Sequence, residues 1–131
     1  MKTEYFEIPE DNWGVVLVYD YDIMDWYDLE AIMESFKLPK HKIKEALKVL
    51  SNLNTGMTIS RYDIRMSVVF ISDATSEEEW WNTAAHESKH VADAIIDYYN
   101  VVHDSEDAAY LTGFMMEQLI NLFGEPCRYD A

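Results

Sequence analysis

Apolar residues recur along this chain with two periods, one suited to strands and one to helices. Residues 13–19 (WGVVLVY) form a β-branched and aromatic run that predicts a strand. From residue 22 the spacing widens. Trp26, Leu29, Ile32, Met33 and Phe36 share one face of a helix that Asp22 or Asp25 can cap. Leu38-Pro39 stops it, because the residue before a proline is pushed out of helical geometry. A second helix over 40–50 repeats Ile43, Leu47 and Leu50 and exposes lysines between them, and a turn over 52–56 ends it. Residues 65–72 (RMSVVFIS) predict another strand, and 57–62 a short third one. Thr75 and Ser76 open a long helix. Thr75-x-x-Glu78 and Ser76-x-x-Glu79 both match the capping box, and Glu77, Glu78 and Glu79 suit the positive end of the helix dipole. That pattern runs to about residue 99. After a polar turn, Asp104 or Ser105 caps a last helix to about residue 123, closed by Gly124 and Pro126.

The order predicts a single α+β domain over 1–131, with a strand and two helices in 1–64, a strand and two helices in 65–123, and a tail over 124–131. A chain of 131 residues is the size of one ordinary domain. Its 49% hydrophobic and 14% aromatic content supplies a core and excludes a wholly disordered chain, despite a mean hydropathy of -0.25. The net charge of -15 repels phosphates and anionic lipid, so neither a sequence-independent nucleic-acid binder nor a membrane-surface protein is expected. The lone cysteine, Cys127, cannot form an internal disulfide and fits a reducing compartment. The N-terminus lacks the basic start and apolar run of a signal peptide, and the longest apolar run, 15–19, is far below a membrane span. The expectation is a soluble cytoplasmic protein of undetermined oligomeric state.

The chemistry is concentrated in His86-Glu87-Ser88-Lys89-His90, an H-E-x-x-H pattern inside the long helix. Histidines at i and i+4 lie one turn apart on the same face, so both imidazoles can reach one metal ion. Glu87 sits about 100° around the helix, where it need not bind the metal and can act as general base on a water. By composition alone the pattern arises about 0.01 times in such a chain, which sets it above a surface histidine pair on an acidic helix. A catalytic zinc needs a third protein ligand and an open position. A metzincin would carry a histidine at position 96, where this chain has Ile96. His103, Asp104, Glu106, Asp107 and Glu117 are the downstream candidates. Glu106, opening an antiparallel helix, is the best placed, and His103 its competitor.

With these residues the chain resembles the gluzincins. His86-Glu87-x-x-His90 followed by Glu106-Asp107-Ala108-Ala109-Tyr110-Leu111-Thr112-Gly113 is similar to small zincin-like peptidases of bacteria, phages and mobile elements, in which a Glu-x-x-Ala segment follows the zinc helix. The strand before the helix also looks like the edge strand of zincins. The resemblance covers about residues 65–123. It departs from the family in lacking the Glu-x-x-x-Asp continuation, whose place Tyr110 takes. It implies a small zincin-like domain with a short sheet packed on helices, one zinc ion per chain, Glu106 as third ligand and a metallopeptidase acting on a peptide or protein substrate.

Further expectations follow from helical spacing. Glu106, Tyr110, Gly113 and Glu117 fall on one face, on which Gly113 permits close approach of the zinc helix. Asp93 can accept a hydrogen bond from a ligand imidazole and fix its tautomer. Tyr110, His103, Tyr62 and Arg65 are candidates to stabilise an oxyanion, and Tyr110 joins Glu87 in the expected catalytic set. The strand near Val68–Phe70 is expected to align a peptide by β-augmentation. Three other readings compete. One is a zincin-fold interaction protein without activity. Another is an acidic DNA-mimicking decoy of phage or mobile-element origin, which has no use for His86 and His90. The last is half of a di-iron carboxylate site, for which the second Glu-x-x-His motif is missing.

Overall fold

The computed structural model describes residues 1–99 and 105–123, with only the backbone at 105 and 106. Its elements are β1 (Lys2–Ile8), β2 (Trp13–Tyr19), α1 (Trp26–Ser35), α2 (Lys40–Leu50), β3 (Gly56–Arg61), β4 (Met66–Ile71), α3 (Glu77–Tyr99) and α4 (Ser105–Phe123). The strands form one mixed sheet in the order β1-β2-β4-β3. β1 and β2 form an antiparallel hairpin, β2 and β4 run parallel with Val16 opposite Val68, and β3 and β4 are antiparallel with Thr58 opposite Val69. The expected α+β class is thus present, as a four-stranded sheet with four helices.

Alternation along the central strands creates two cores. Val15, Leu17 and Tyr19 of β2, with Val69 and Ile71 of β4, meet Trp80, Ala84, Val91 and Ile95 of α3 and Met115 and Leu119 of α4. Val18, Val68 and Phe70 point the other way, onto Leu29 and Met33 of α1 and Ile43, Ala46 and Leu50 of α2. Successive side chains on a strand face opposite sides, so one apolar run serves both helix layers. Each such side chain contributes about 1.5–3 kcal/mol when fully buried. No helix among the described residues is long and apolar enough to cross a membrane.

Two expectations about strands need correction. β1 carries Lys2, Glu4 and Glu7 and was not visible as a strand. It is an edge strand whose charged residues blunt its free side, and only Ile8 is fully buried. The 65–72 strand, expected at the edge, is β4, which is paired on both sides and almost wholly buried. The edge beside α3 belongs instead to β3, the short third strand.

β3 reaches α3 because its first residue has no side chain. A Cβ on Gly56 would lie 2.8 Å from Thr83 Cγ2, 2.9 Å from Glu87 Cγ and 3.0 Å from the Phe70 carbonyl oxygen. The turn before it is tied to the start of α3. Asn54, at φ 60°, donates its N–H to the Asp73 carbonyl (2.9 Å), and its Oδ1 accepts from the Thr75 N–H (2.9 Å). Thr75 is therefore engaged by the turn, and the cap of α3 is Ser76, whose Oγ accepts from the Glu79 N–H at 3.1 Å. Replacing Gly56 by alanine is expected to cost about 1–3 kcal/mol, because the Phe70 backbone cannot move aside. Urea unfolding of G56A checks this, and an unchanged midpoint and slope would show that β3 does not need the close approach.

Candidate metal centre

α3 has two unlike faces. Val91, Ala92, Ile95 and Ser88 are buried, and Ser88 Oγ meets Met116 Sδ of α4 at 3.7 Å. On the opposite face His86 and His90 are exposed, one turn apart, with their Nε2 atoms 3.2 Å from each other. Between the two faces lies Glu87, only 4% exposed. Its Oε1 accepts a hydrogen bond from Thr58 Oγ1 of β3 at 2.8 Å, and its Oε2 stands 3.9 Å from His86 Nε2. The Thr58 hydroxyl also lies 3.3 Å from the Glu87 carbonyl oxygen. Among the described residues, His86, Glu87 and His90 are the one group whose ligand atoms converge, all within 4.8 Å.

These residues line a groove of about 1000 Å³ between β3 and α3, with Gly56, Thr58 and Ser60 as the strand wall. The wall is held from beneath. Ser60 Oγ and Ser67 Oγ are 2.7 Å apart, and the indole N–H of Trp13 donates to Ser67 Oγ at 2.9 Å. At the far end Tyr62 packs edge-on to Trp13 and Tyr98, with centroids 6.1 and 6.0 Å away, and donates its hydroxyl to Asp97 Oδ2 at 2.9 Å. Burial, and then the Asp97 carboxylate, push the Tyr62 hydroxyl pKa above the ordinary tyrosine value, which keeps it a donor.

The structure brings together His86, His90 and Glu87, as the spacing required. It does not bring α4 to them. α4 packs on the other side of α3, and the Ser88–Met116 contact sets an antiparallel register that puts position 106 level with residue 98, about 15 Å along the helix from the histidines. The buried stripe of α4 is Ala108, Met115 and Leu119, while Tyr110, Gly113 and Glu117 are exposed on the opposite face. Position 106 falls on that outward face by helical spacing. The expectation that this face packs against α3 is therefore overturned. Gly113 has nothing within 4 Å of where its Cβ would be, and Tyr110, 75% exposed, borders a different hollow with Glu10, Ile96 and Tyr99. The side chain of Glu106, and all of His103, Asp104 and Cys127, lie outside the described residues.

Asp93 lines the groove but accepts from Lys89 Nζ at 2.6 Å rather than from an imidazole. Arg65 sits in the β3–β4 turn at φ 51°, away from the groove. Of the three oxyanion candidates among the described residues, Tyr62, Arg65 and Tyr110, only Tyr62 borders it. Thr58 and Gly56 were missed. Neither has a sequence signal, because their roles exist only once β3 lies against α3.

Removing the Thr58 hydroxyl leaves a buried carboxylate oxygen without its partner, so T58V is expected to cost about 1–3 kcal/mol. In an E87A background the same change should cost much less. Urea unfolding of the two single variants and the double variant measures this coupling; additive effects would mean that the bond contributes nothing. Comparison of the chain with protein-family models, with curated proteins and with solved structures gives no match.

Proposed function

We propose that this protein is a zinc-dependent peptidase of zincin-like fold, with His86 and His90 as metal ligands and Glu87 as general base. One observation carries the reading. Two nitrogens each about 2.0–2.1 Å from one ion at the tetrahedral angle stand about 3.3–3.4 Å apart. His86 Nε2 and His90 Nε2 are 3.2 Å apart, within hydrogen-bonding distance of each other and close to the separation of two ligands on one ion. With Glu87 as base, the described residues supply two protein ligands, one fewer than catalytic zinc sites usually have.

Zinc bound there would act as a Lewis acid and bring the pKa of a water towards about 7. The chain's own groups do the rest. Thr58 holds Glu87 Oε1, which leaves Oε2 directed towards His86 and the groove. From there Oε2 takes a proton from the attacking water and returns it to the leaving amine. Burial of the carboxylate restricts its rotamers, so the base is positioned before a substrate arrives. The open side of β3 offers backbone groups to an extended peptide, the role first expected of the 65–72 strand. The reducing cytoplasm expected from the single cysteine is part of the same proposal.

A second reading has one observation in its favour. Glu87 belongs to the same 4.8 Å cluster as the histidines, and as a ligand it would make a metal-binding protein without peptidase activity. One substitution separates the two. Glu87→Gln should keep one zinc per chain and lower peptide hydrolysis about 10²–10⁴-fold. Loss of zinc from this variant, read by elemental analysis, would favour Glu87 as ligand. Unchanged hydrolysis would remove its role as base.

Zinc itself is tested separately. One equivalent is expected in the parent protein, and His86→Ala and His90→Ala should each abolish it; a protein that takes up none contradicts the proposal. Glu106→Ala is expected to keep its zinc, given the face of α4 on which position 106 falls. Loss of metal from that variant would restore Glu106 as the third ligand.

A further inference from the structure

The groove has a direction. Gly56 lies against Thr83 and Glu87, Thr58 bonds Glu87, and Tyr62 bonds Asp97, so β3 and α3 run side by side in the same sense and wall a channel leading away from the histidines. Asp97 is seven residues beyond His90, about 10 Å along the helix. An extended peptide covers that distance in about three residues, at roughly 3.3 Å each.

Charge along the channel is one-sided. Beyond the histidines its charged residues are Asp93 and Asp97, and the one lysine or arginine in the lining, Lys89, stands between the histidines along the helix. Lys89 is engaged by Asp93 at 2.6 Å. Asp97 accepts from the Tyr62 hydroxyl through Oδ2 and has no lysine or arginine partner among the described residues. A neutral donor does not cancel its charge. Beside it the Tyr62 ring is fixed by Trp13 and Tyr98, so an aromatic surface and a carboxylate face the same stretch of channel. The chain's -15 charge reinforces the local field.

We propose that this end of the groove selects a lysine or arginine side chain about three residues from the scissile bond, with Asp97 as counter-ion and the Tyr62 ring as the surface along which its stem lies. The substrate class is then a basic peptide segment. Tyr62 acts as a positioning residue, because its hydroxyl fixes the Asp97 rotamer. The meaning of this selectivity rests on the peptidase reading, whereas the charge and geometry of the channel do not.

The test uses fluorescein-labelled alanine-based octapeptides carrying one lysine, or its neutral isostere norleucine, at each position in turn. Binding is read by fluorescence anisotropy at low salt, on the Glu87→Gln chain, which leaves the peptides whole, and on the metal-free parent. Lysine at one position should bind about tenfold more tightly than norleucine, and the difference should shrink in high salt. Asp97→Asn should remove the preference without changing norleucine binding or the circular dichroism spectrum. Tyr62→Phe, which keeps the ring, should weaken it only in part. Equal binding of the two peptides, or none of either, overturns the inference, as does a preference that survives Asp97→Asn. A lysine preference in a protein that takes up no zinc supports the channel and removes the peptidase reading. Zinc uptake and hydrolysis without the preference do the reverse.

Discussion

The candidate centre depends on how closely one edge strand approaches one helix. Gly56 lets β3 lie against Thr83 and Glu87, and Thr58, two residues on, fastens Glu87 by its carboxylate and touches its backbone carbonyl. Two residues apart on a strand means the same face, so the approach and the hydrogen bond are consequences of one register. The approach also closes one wall of the groove. A bulkier residue at 56 would push β3 outward, deprive Glu87 of its partner and widen the channel in which Asp97 and Tyr62 meet.

The two faces of α3 explain why its chemistry is exposed on one side only. Ser88, Ala92 and Ile95 receive α4 and the sheet, and this burial fixes the helix. The histidines lie about half a turn of the helix away from that contact and stay open to solvent. Glu87, between the two faces, is buried yet polar, a placement that costs stability unless it is hydrogen-bonded. Thr58 supplies that bond. Glu87, the Thr58 hydroxyl that holds it and the two candidate ligands are thus set by secondary-structure packing rather than by loops.

Much of this was legible in the sequence. The apolar run over 13–19 is β2, the Ile43/Leu47/Leu50 spacing is α2, and the H-E-x-x-H segment lies inside α3 with both histidines on one open face. Local periodicity carries such information because it reflects a face already chosen by burial. β1 was missed because each of its faces mixes charged and apolar residues, Glu4 with Phe6 and Ile8 on one and Tyr5 with Glu7 on the other, so no clean alternation marks it. The face of α4 was misjudged for a different reason. Glu106, Tyr110, Gly113 and Glu117 do share one side, but the stripe of Ala108, Met115 and Leu119 is the more apolar one, and it takes the contact with α3. A glycine on a helix suggests close approach only if its face is the buried one, and Gly113 faces open space. Thr58 comes from a strand far from the motif in sequence, so no spacing rule reaches it, and Tyr62, named from the sequence only as an oxyanion candidate, is seen to bond Asp97 only in the fold.

His86 and His90 are proposed to hold one metal ion together, with Glu87 beside them left unbound. Imidazole ¹⁵N and carboxyl ¹³C NMR during a zinc titration reads all three groups at once. The Nε2 resonances of both His86 and His90 should shift and saturate at one equivalent, with the Glu87 carboxyl signal little changed. Unperturbed histidines, or a shift confined to one of them, would contradict the proposal.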